Sequence, residues 1–312
     1  MAYAPGRREP ARKRDKTPRD HPLTERYETM LGEQVRFPQK RECLRINTLL
    51  APQDIVKRIE AVPAKLTRVP FLPDAYWYES ERSLGATAEY LMGYYYLQEA
   101  ASQLPALVLS PPKGATVLDM AAAPGSKTTQ LASMLANTGV IVALELKDNR
   151  MTSLAENLER SGVTNTIVYR KDARFAKDLG VRFTHILLDA PCSGNPVIES
   201  EFFDRKSVDG IREMQALQRE LIRSAVQALA PEGILVYSTC SLEPEENEAN
   251  VAWALQQYPE LELLDTGLTI GESGYTSALG QSYGVDLRRT RRLWPHKTGT
   301  QAFFVAKLRK RA

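Results

Sequence analysis

From Gly114 onward, short apolar runs alternate with amphipathic segments, and this alternation limits the fold more than any other feature of the chain. The runs at 117–119, 140–145, 166–169, 184–189 and 233–238 have the length of buried strands and are rich in Val, Ile and Leu. Between them, 127–136, 149–160 and 210–229 carry apolar residues at helical spacing. A later helix is expected over 244–257, with Glu245, Glu246 and Glu248 in its first turn, where acids suit the helix dipole. Two further strands are expected at 261–264 and 301–308. Strands separated by helices pair in parallel through right-handed crossovers, so the fold class is α/β, doubly wound and Rossmann-like, with a mostly parallel sheet.

The first of these βα units is unusual. Residues 118–129 read LDMAAAPGSKTT: a strand end, a loop of small side chains (Ala121, Ala122, Ala123, Pro124, Gly125), then a helix start. Small residues let a ligand approach the backbone, and free N–H groups at a helix start favour negative groups. Glu145 ends the next strand, about 20 residues past Gly125, where an acid commonly takes both ribose hydroxyls. The G-x-G-x-x-G pattern that fits a pyrophosphate is missing, which favours an adenosyl ligand without a diphosphate. An ordinary βα turn in an α/β protein is the competing reading of this stretch.

The rest of the chain sets outer bounds. Its 312 residues allow one large domain or two ordinary ones. No apolar run approaches the roughly 20 residues that span a bilayer, and no apolar core follows the basic N-terminus as it would in a secretory signal. The three cysteines, Cys43, Cys192 and Cys240, are too few and scattered for a disulfide framework or a zinc site, and they suit a reducing cytoplasm. No metal is expected, and a cytoplasmic monomer is. The net charge is only +3, so a polyanion must be met by local patches. Residues 1–21, rich in Pro, Arg and Lys, are expected to form a disordered basic tail suited to phosphate contact or simply to solubility. Residues 22–92 form a small βαβ-like module: a helix at 23–31, a strand at 43–49, a helix ending at Ala61, and an irregular or strand-like 69–78. The tyrosine-rich stretch from Gly93 suggests a helix entering the main domain, 93–312.

In an open α/β sheet the ligand lies beyond the carboxyl ends of the strands. Those ends carry Asp119, Glu145, Asp172, Asp189 with Cys192, and Cys240. Two of three cysteines therefore fall at adjacent strand ends beside an adenosyl site. Carbon 5 of cytosine is a poor nucleophile towards a methyl sulfonium. A thiolate adding at carbon 6 makes carbon 5 nucleophilic, one hard step split into two easier ones. Addition also needs N3 protonated or strongly hydrogen-bonded, a task for an acid such as Asp189. The pattern does not say which thiol attacks.

The motifs RINTL (45–49), LQEAAS (97–102), DMAAAPGSKT (119–128), DAPCSG (189–194), YSTCS (237–241) followed by PEENE, and WPHKTGT (294–300) before Phe303-Phe304 occur together and in order. With them the chain resembles the RNA 5-methylcytosine methyltransferases of the NOL1/NOP2/Sun group from about Arg41 to Leu308. The resemblance implies a methyltransferase domain that uses S-adenosylmethionine. It makes Cys240 the nucleophile and Cys192 the aid to product release, with Asp189 on the cytosine and Lys127 near the target nucleotide. It also implies Glu145 on the ribose, Arg150 supporting that loop, Asp172 on the adenine amino group, and the backbone of Ala121, Ala122, Ala123, Pro124 and Gly125 on the methionine portion. A structured RNA is the implied partner, tRNA slightly ahead of rRNA. Contacts are expected from the N-terminal module, including Arg45, from Lys127, and from Arg288, Arg289, Arg291 and Arg292. Three positions depart from the family pattern. Pro196 and Glu199 stand where a glycine and an arginine often follow PCSG, and Ala302 replaces a usual glycine. The rival readings are a non-catalytic RNA-binding or ribosome-assembly factor on the same fold, a DNA cytosine methyltransferase, and a small-molecule methyltransferase.

Overall fold

The apolar runs of the main domain pair as strands in a computed structural model that describes residues 17–18, 21–199 and 201–312. Apart from Thr17, Pro18 and His21, the basic tail expected at 1–21 lies outside the described residues.

The N-terminal part opens with α1 (Pro22–Leu31), capped by the His21 ring, which accepts a hydrogen bond from the Leu23 amide. Then follow β1 (Cys43–Ile46), α2 (Ile55–Ala61), β2 (Ala64–Arg68), β3 (Ala75–Ser80), a short α3 (Ala88–Leu91) and β4 (Tyr95–Leu97). The strand order is β2-β3-β1-β4, with every neighbouring pair antiparallel. β1 and β2 therefore run parallel with β3 between them, a βαβ unit split by one strand. The helix expected from Gly93 starts late: residues 95–97 are strand, and helical structure begins only at Ala101. Tyr95 and Tyr96 lie on β4, hydrogen-bonded in register with β1, and Tyr95 is sealed in the core formed with Leu44, Ile46, Ile55 and Ile59. Aromatic side chains on a half-buried strand are favoured by packing, which outweighs the helical pattern of the residues after them.

The main domain follows with α4 (Leu104–Leu109), β5 (Thr116–Asp119), α5 (Ser126–Met134), β6 (Val140–Glu145), α6 (Asp148–Arg160), β7 (Thr166–Arg170), β8 (Phe183–Asp189), α7 (Phe202–Arg205), α8 (Val208–Ala228) and β9 (Leu229–Thr239). It ends with α9 (Glu248–Gln257), β10 (Leu261–Leu264), β11 (Glu272–Ser273), the hairpin β12 (Ser277–Ala278) and β13 (Gln281–Ser282), β14 (Arg291–Leu293), α10 (Pro295–Thr298) and β15 (Phe303–Lys310). Five strands pair in parallel in the order β7-β6-β5-β8-β9, and β15 adds antiparallel beside β9. β14 and β10 share the far edge of β15.

Alternate residues of each central strand serve opposite faces, as the pleat requires. Leu118, Ile186, Leu188, Leu235 and Tyr237 pack towards α8 and α9, while Val117, Leu187, Val236 and Val305 pack towards α4 and α5. Both faces are covered, as expected of a largely parallel sheet. This is the class I methyltransferase fold. All five parallel strands deliver their carboxyl ends to one edge.

Candidate active site

A cavity of about 640 Å³ opens along that edge and is lined from every parallel strand: Ala121 and Ala123 after β5, Glu145 from β6, Asp172 after β7, Asp189 and Cys192 from the end of β8, and Cys240 after β9. Of the expected residues, Ala121, Ala123, Glu145, Arg150, Asp172, Asp189 and both thiols thus surround one space, whereas Ala122, Pro124, Gly125 and Lys127 do not line it.

The small-residue loop is fastened by its carbonyls. Arg150 donates to the Ala123 oxygen and Asn157, also on α6, donates to the Pro124 oxygen at 2.9 Å. Gly125 adopts φ +106°, a region that L side chains avoid, and a Cβ there would stand 3.2 Å from Leu154 of α6. The positive φ favours glycine, and the nearby Leu154 side chain leaves a Cβ little room. Glu145 is almost fully buried; one carboxylate oxygen accepts the Leu146 and Lys147 amides, and the other pairs with Arg150 at 3.4 Å. Arg150 therefore joins the loop after β6 to the small-residue loop. Asp119 is fully buried and its Oδ2 accepts from Thr128 at 2.7 Å, while its Oδ1 has no hydrogen-bond partner among the described residues. Burial pushes its carboxyl up to about 6. Asp172 also lines the cavity, but its carboxylate accepts from the amide and guanidinium of Arg174 and so caps the short 3-10 segment Ala173–Leu179.

At the thiol end, Asp189 Oδ2 pairs with Lys127 Nζ at 2.6 Å and Oδ1 accepts from Ser238 at 2.7 Å. Lys127 also stands over the Phe303 ring at 5.9 Å. Cys192 and Cys240 are both partly exposed. A hydrogen bond with the Cys192 thiol, then burial, then the negative charges of Asp189 and Glu246, hold the Cys240 thiol well above its ordinary range. Cys43, in contrast, is a core thiol, pushed up to about 12 by burial.

Two expected RNA contacts are interior residues instead. Arg45 is buried; it donates to Gln98 and Thr129 at 2.9 Å each and to the Ser126 carbonyl at 3.2 Å, and desolvation brings its guanidinium down to about 10. It ties β1 to the first turn of α5. Arg292 is fully buried and ion-paired with buried Glu248. Arg291 is half-buried and donates to the Leu268 carbonyl, whereas Arg288 and Arg289 remain exposed. The acids of PEENE also differ from expectation. α9 begins only at Glu248, which does stand in its first turn, while Glu245 and Glu246 precede the helix; Glu246 and Glu248 are fully buried.

The sequence does not single out Ser238 or Asn195, and offers Glu246 only as an acid at a helix start. Asn195 bridges the carbonyls of Cys240 and Ala302 at 3.0 Å each, and its amide donates to Glu199 at 2.9 Å. Glu199, the departure from the family pattern, therefore folds back onto the loop after Cys192. A polar residue beside each thiol motif was the available signal.

Residues 106–309 match the family described as 16S rRNA methyltransferase RsmB/F. The chain belongs to the RsmB/F methyltransferase family. Residues 22–100 match the N-terminal domain of 16S rRNA methyltransferase RsmF, a span that takes in all four strands of the N-terminal sheet. The chain is 39% identical over 284 residues to ribosomal RNA small subunit methyltransferase F of Klebsiella pneumoniae, covering 87% of this chain and 58% of that protein. It is 37% identical over 295 residues to 25S rRNA (cytosine-C(5))-methyltransferase nop2 of Schizosaccharomyces pombe, covering 90% of this chain and 48% of that protein. It spans about half the length of the curated relatives it matches. Among solved structures, a methyltransferase homolog protein from Pyrococcus horikoshii superposes with a TM-score of 0.80 at 40% identity, covering 88% of this chain and 87% of that one. NSun6 from Pyrococcus horikoshii, solved with SFG, gives a TM-score of 0.82 at 26% identity over 92% and 97% of the two chains.

Proposed function

We propose that this RsmB/F family member transfers a methyl group from S-adenosylmethionine to carbon 5 of a cytosine in structured RNA, through a covalent bond between Cys240 and carbon 6. The observation that carries the reading is the pair of thiols, Cys192 and Cys240, opening with Asp189 into the same cavity as Glu145. A binding factor has no need of such a pair.

The cavity fits an adenosyl ligand: its lining runs from the Glu145 carboxylate to the thiols, and the small side chains of Ala121 and Ala123 leave the backbone of the β5 loop open to it. Glu145 and Arg150 would hold the ribose end, and the backbone around Ala121 to Gly125 the methionine portion. Asp172 is already committed to Arg174, so its role towards adenine rests on whatever acceptor capacity remains. Bound there, the cofactor supplies an electrophilic methyl group. The protein's own groups do the remaining work. Cys240, once deprotonated, adds its sulfur to carbon 6, and Asp189 bonds the cytosine edge while Lys127 fixes the carboxylate. With its methyl in place, carbon 5 gives up its proton, the sulfur–carbon bond breaks, and the 5,6 double bond returns. Cys192 assists that release. The target base must be unpaired or flipped to reach both thiols.

The relatives are named for rRNA, which moves the expectation from tRNA towards rRNA. Bisulfite sequencing of both pools decides it. After incubation with S-adenosylmethionine, wild type protects specific cytosines, Cys240→Ala protects none, and Cys192→Ala accumulates covalently bound to RNA. If wild type changes no cytosine in either pool, the catalytic reading is wrong.

A further inference from the structure

We propose that Glu246 is a positioning residue that sets the spacing of the two thiols, an inference that rests on the thiol-pair chemistry above. Glu246 lies in PEENE between β9 and α9 and is fully buried. Its Oε2 accepts from the Ser193 amide at 3.0 Å and from Gln218 at 2.7 Å. Its Oε1 accepts from the Ser193 hydroxyl and, at 2.8 Å, from the Ser241 hydroxyl. Ser193 follows Cys192 directly and Ser241 follows Cys240 directly. One carboxylate thus spans the residues next to both thiols, across loops that leave two different strands.

The surroundings brace this clamp. Gln218 of α8 also donates to the Pro191 carbonyl at 2.8 Å, so the loop is held on both sides of Cys192. Asn250 donates to Gln218 at 2.8 Å and fixes the orientation of its amide. On the other loop, Asn247 accepts from Thr239 and donates to the Ser241 carbonyl at 2.9 Å. Among the described residues no cation pairs with the Glu246 carboxylate; its donors are neutral amides and hydroxyls. A buried carboxylate held by neutral donors is costly to place, and its placement here serves the geometry of two loop ends rather than charge neutralisation. Helix-dipole compensation does not require it, because α9 begins two residues later.

The substitutions separate geometry from charge. In Glu246→Gln the amide oxygen can keep the Ser193 amide and Gln218 while the NH₂ donates to the two hydroxyls, whose oxygens then accept. Glu246→Asp keeps the charge but is one methylene too short to reach both loops. Phenylarsine oxide reads the spacing without any methyl transfer. It reacts with two neighbouring thiols to form two As–S bonds, and its oxygen leaves as water with both thiol protons. Cys43 is solitary and buried and does not compete.

The experiment titrates phenylarsine oxide into the full chain and its Glu246→Asp, Glu246→Gln, Cys192→Ala and Cys240→Ala variants, with melting temperature and S-adenosylmethionine affinity measured alongside. Either cysteine variant should abolish the high-affinity site. The expected result is at least tenfold weaker arsenical binding for Glu246→Asp, recovery to within about threefold of wild type for Glu246→Gln, and cofactor affinity unchanged in both. Arsenical binding unaffected by Glu246→Asp overturns the proposal. So does loss in both variants together with a collapsed melting temperature and lost cofactor binding, which marks a purely structural residue. Failure of the methyltransferase reading registers separately, as absent methylation by a wild-type protein whose arsenical binding still depends on Glu246.

Discussion

At the scale of single residues, two acids, the Cys240 thiol in the cavity and the fully buried Asp119 carboxyl, are both held above their ordinary range. The Cys240 thiol is held high first by its hydrogen bond to Cys192, so Cys192→Ala should move the pH at which Cys240 reacts downward. Peptide-resolved alkylation with iodoacetamide at pH 8 should label Cys240 faster in that variant than in wild type, and equal or slower labelling would refute the assignment. Asp119 has its carboxyl raised from 3.8 to about 6 by burial. Between those values the folded state binds more protons than the unfolded state, so Asp119 withdraws stability as pH rises from about 4 to about 6, and the cost is constant above that. A rise of that size corresponds to roughly 3 kcal/mol. Asp119→Asn keeps an acceptor for Thr128 and cannot ionise. Its stability relative to wild type, from urea unfolding, should therefore grow from pH 4 to pH 6 and then level off; a difference constant with pH contradicts this.

At the scale of elements, the run of arginines before α10 divides according to what lies opposite each one. Arg292 neutralises buried Glu248, so Arg292→Ala should cost about 3–5 kcal/mol by stranding that carboxylate, read from the urea midpoint. Arg288 is exposed and pairs with exposed Asp286, so Arg288→Ala should leave stability within about 0.5 kcal/mol. If Arg288 meets a phosphate, its loss lowers the salt slope of RNA binding by about one. The same contrast explains what could be read in the chain. β6 and β10 fall at the residues that their apolar patterns indicate, and the strand ends bring Glu145, Asp189 and both thiols together as their spacing implies. Periodicity reports which face of an element is buried, and five successive βα units leave little freedom in topology. It does not report partners far away in sequence. Arg292 and Glu248 are 44 residues apart, and Arg45 finds Thr129 84 residues on. Each therefore looks like a surface charge until the fold supplies its partner. β4 was hidden for a related reason: its three residues are too few to show alternation, and only β1 makes them a strand.

At the scale of the whole molecule, the N-terminal module and the small-residue loop after β5 are joined by a short polar relay. Arg160, at the end of α6, donates to the Tyr90 carbonyl at 2.8 Å and to the Asn157 side chain at 3.0 Å. Asn157 then donates to the Pro124 carbonyl at 2.9 Å. The guanidinium also lies 4.1 Å from the centre of the Tyr90 ring, a contact that lysine would not reproduce as a planar stack. Neither Arg160 nor Asn157 lines the cavity, yet together they connect the small-residue loop to the segment that leads into β4. Arg160→Ala should therefore weaken S-adenosylmethionine binding by about three- to tenfold, measured by isothermal titration, and Asn157→Ala should do the same. If the two act as one relay, removing the second member after the first has little left to break. The double variant should then be no weaker than the worse single variant, a coupling that the double-mutant cycle reads directly. Additive losses would mean that the residues stabilise separate neighbourhoods, and that the module holds the small-residue loop through its other contacts, such as those of Arg45 and Tyr96.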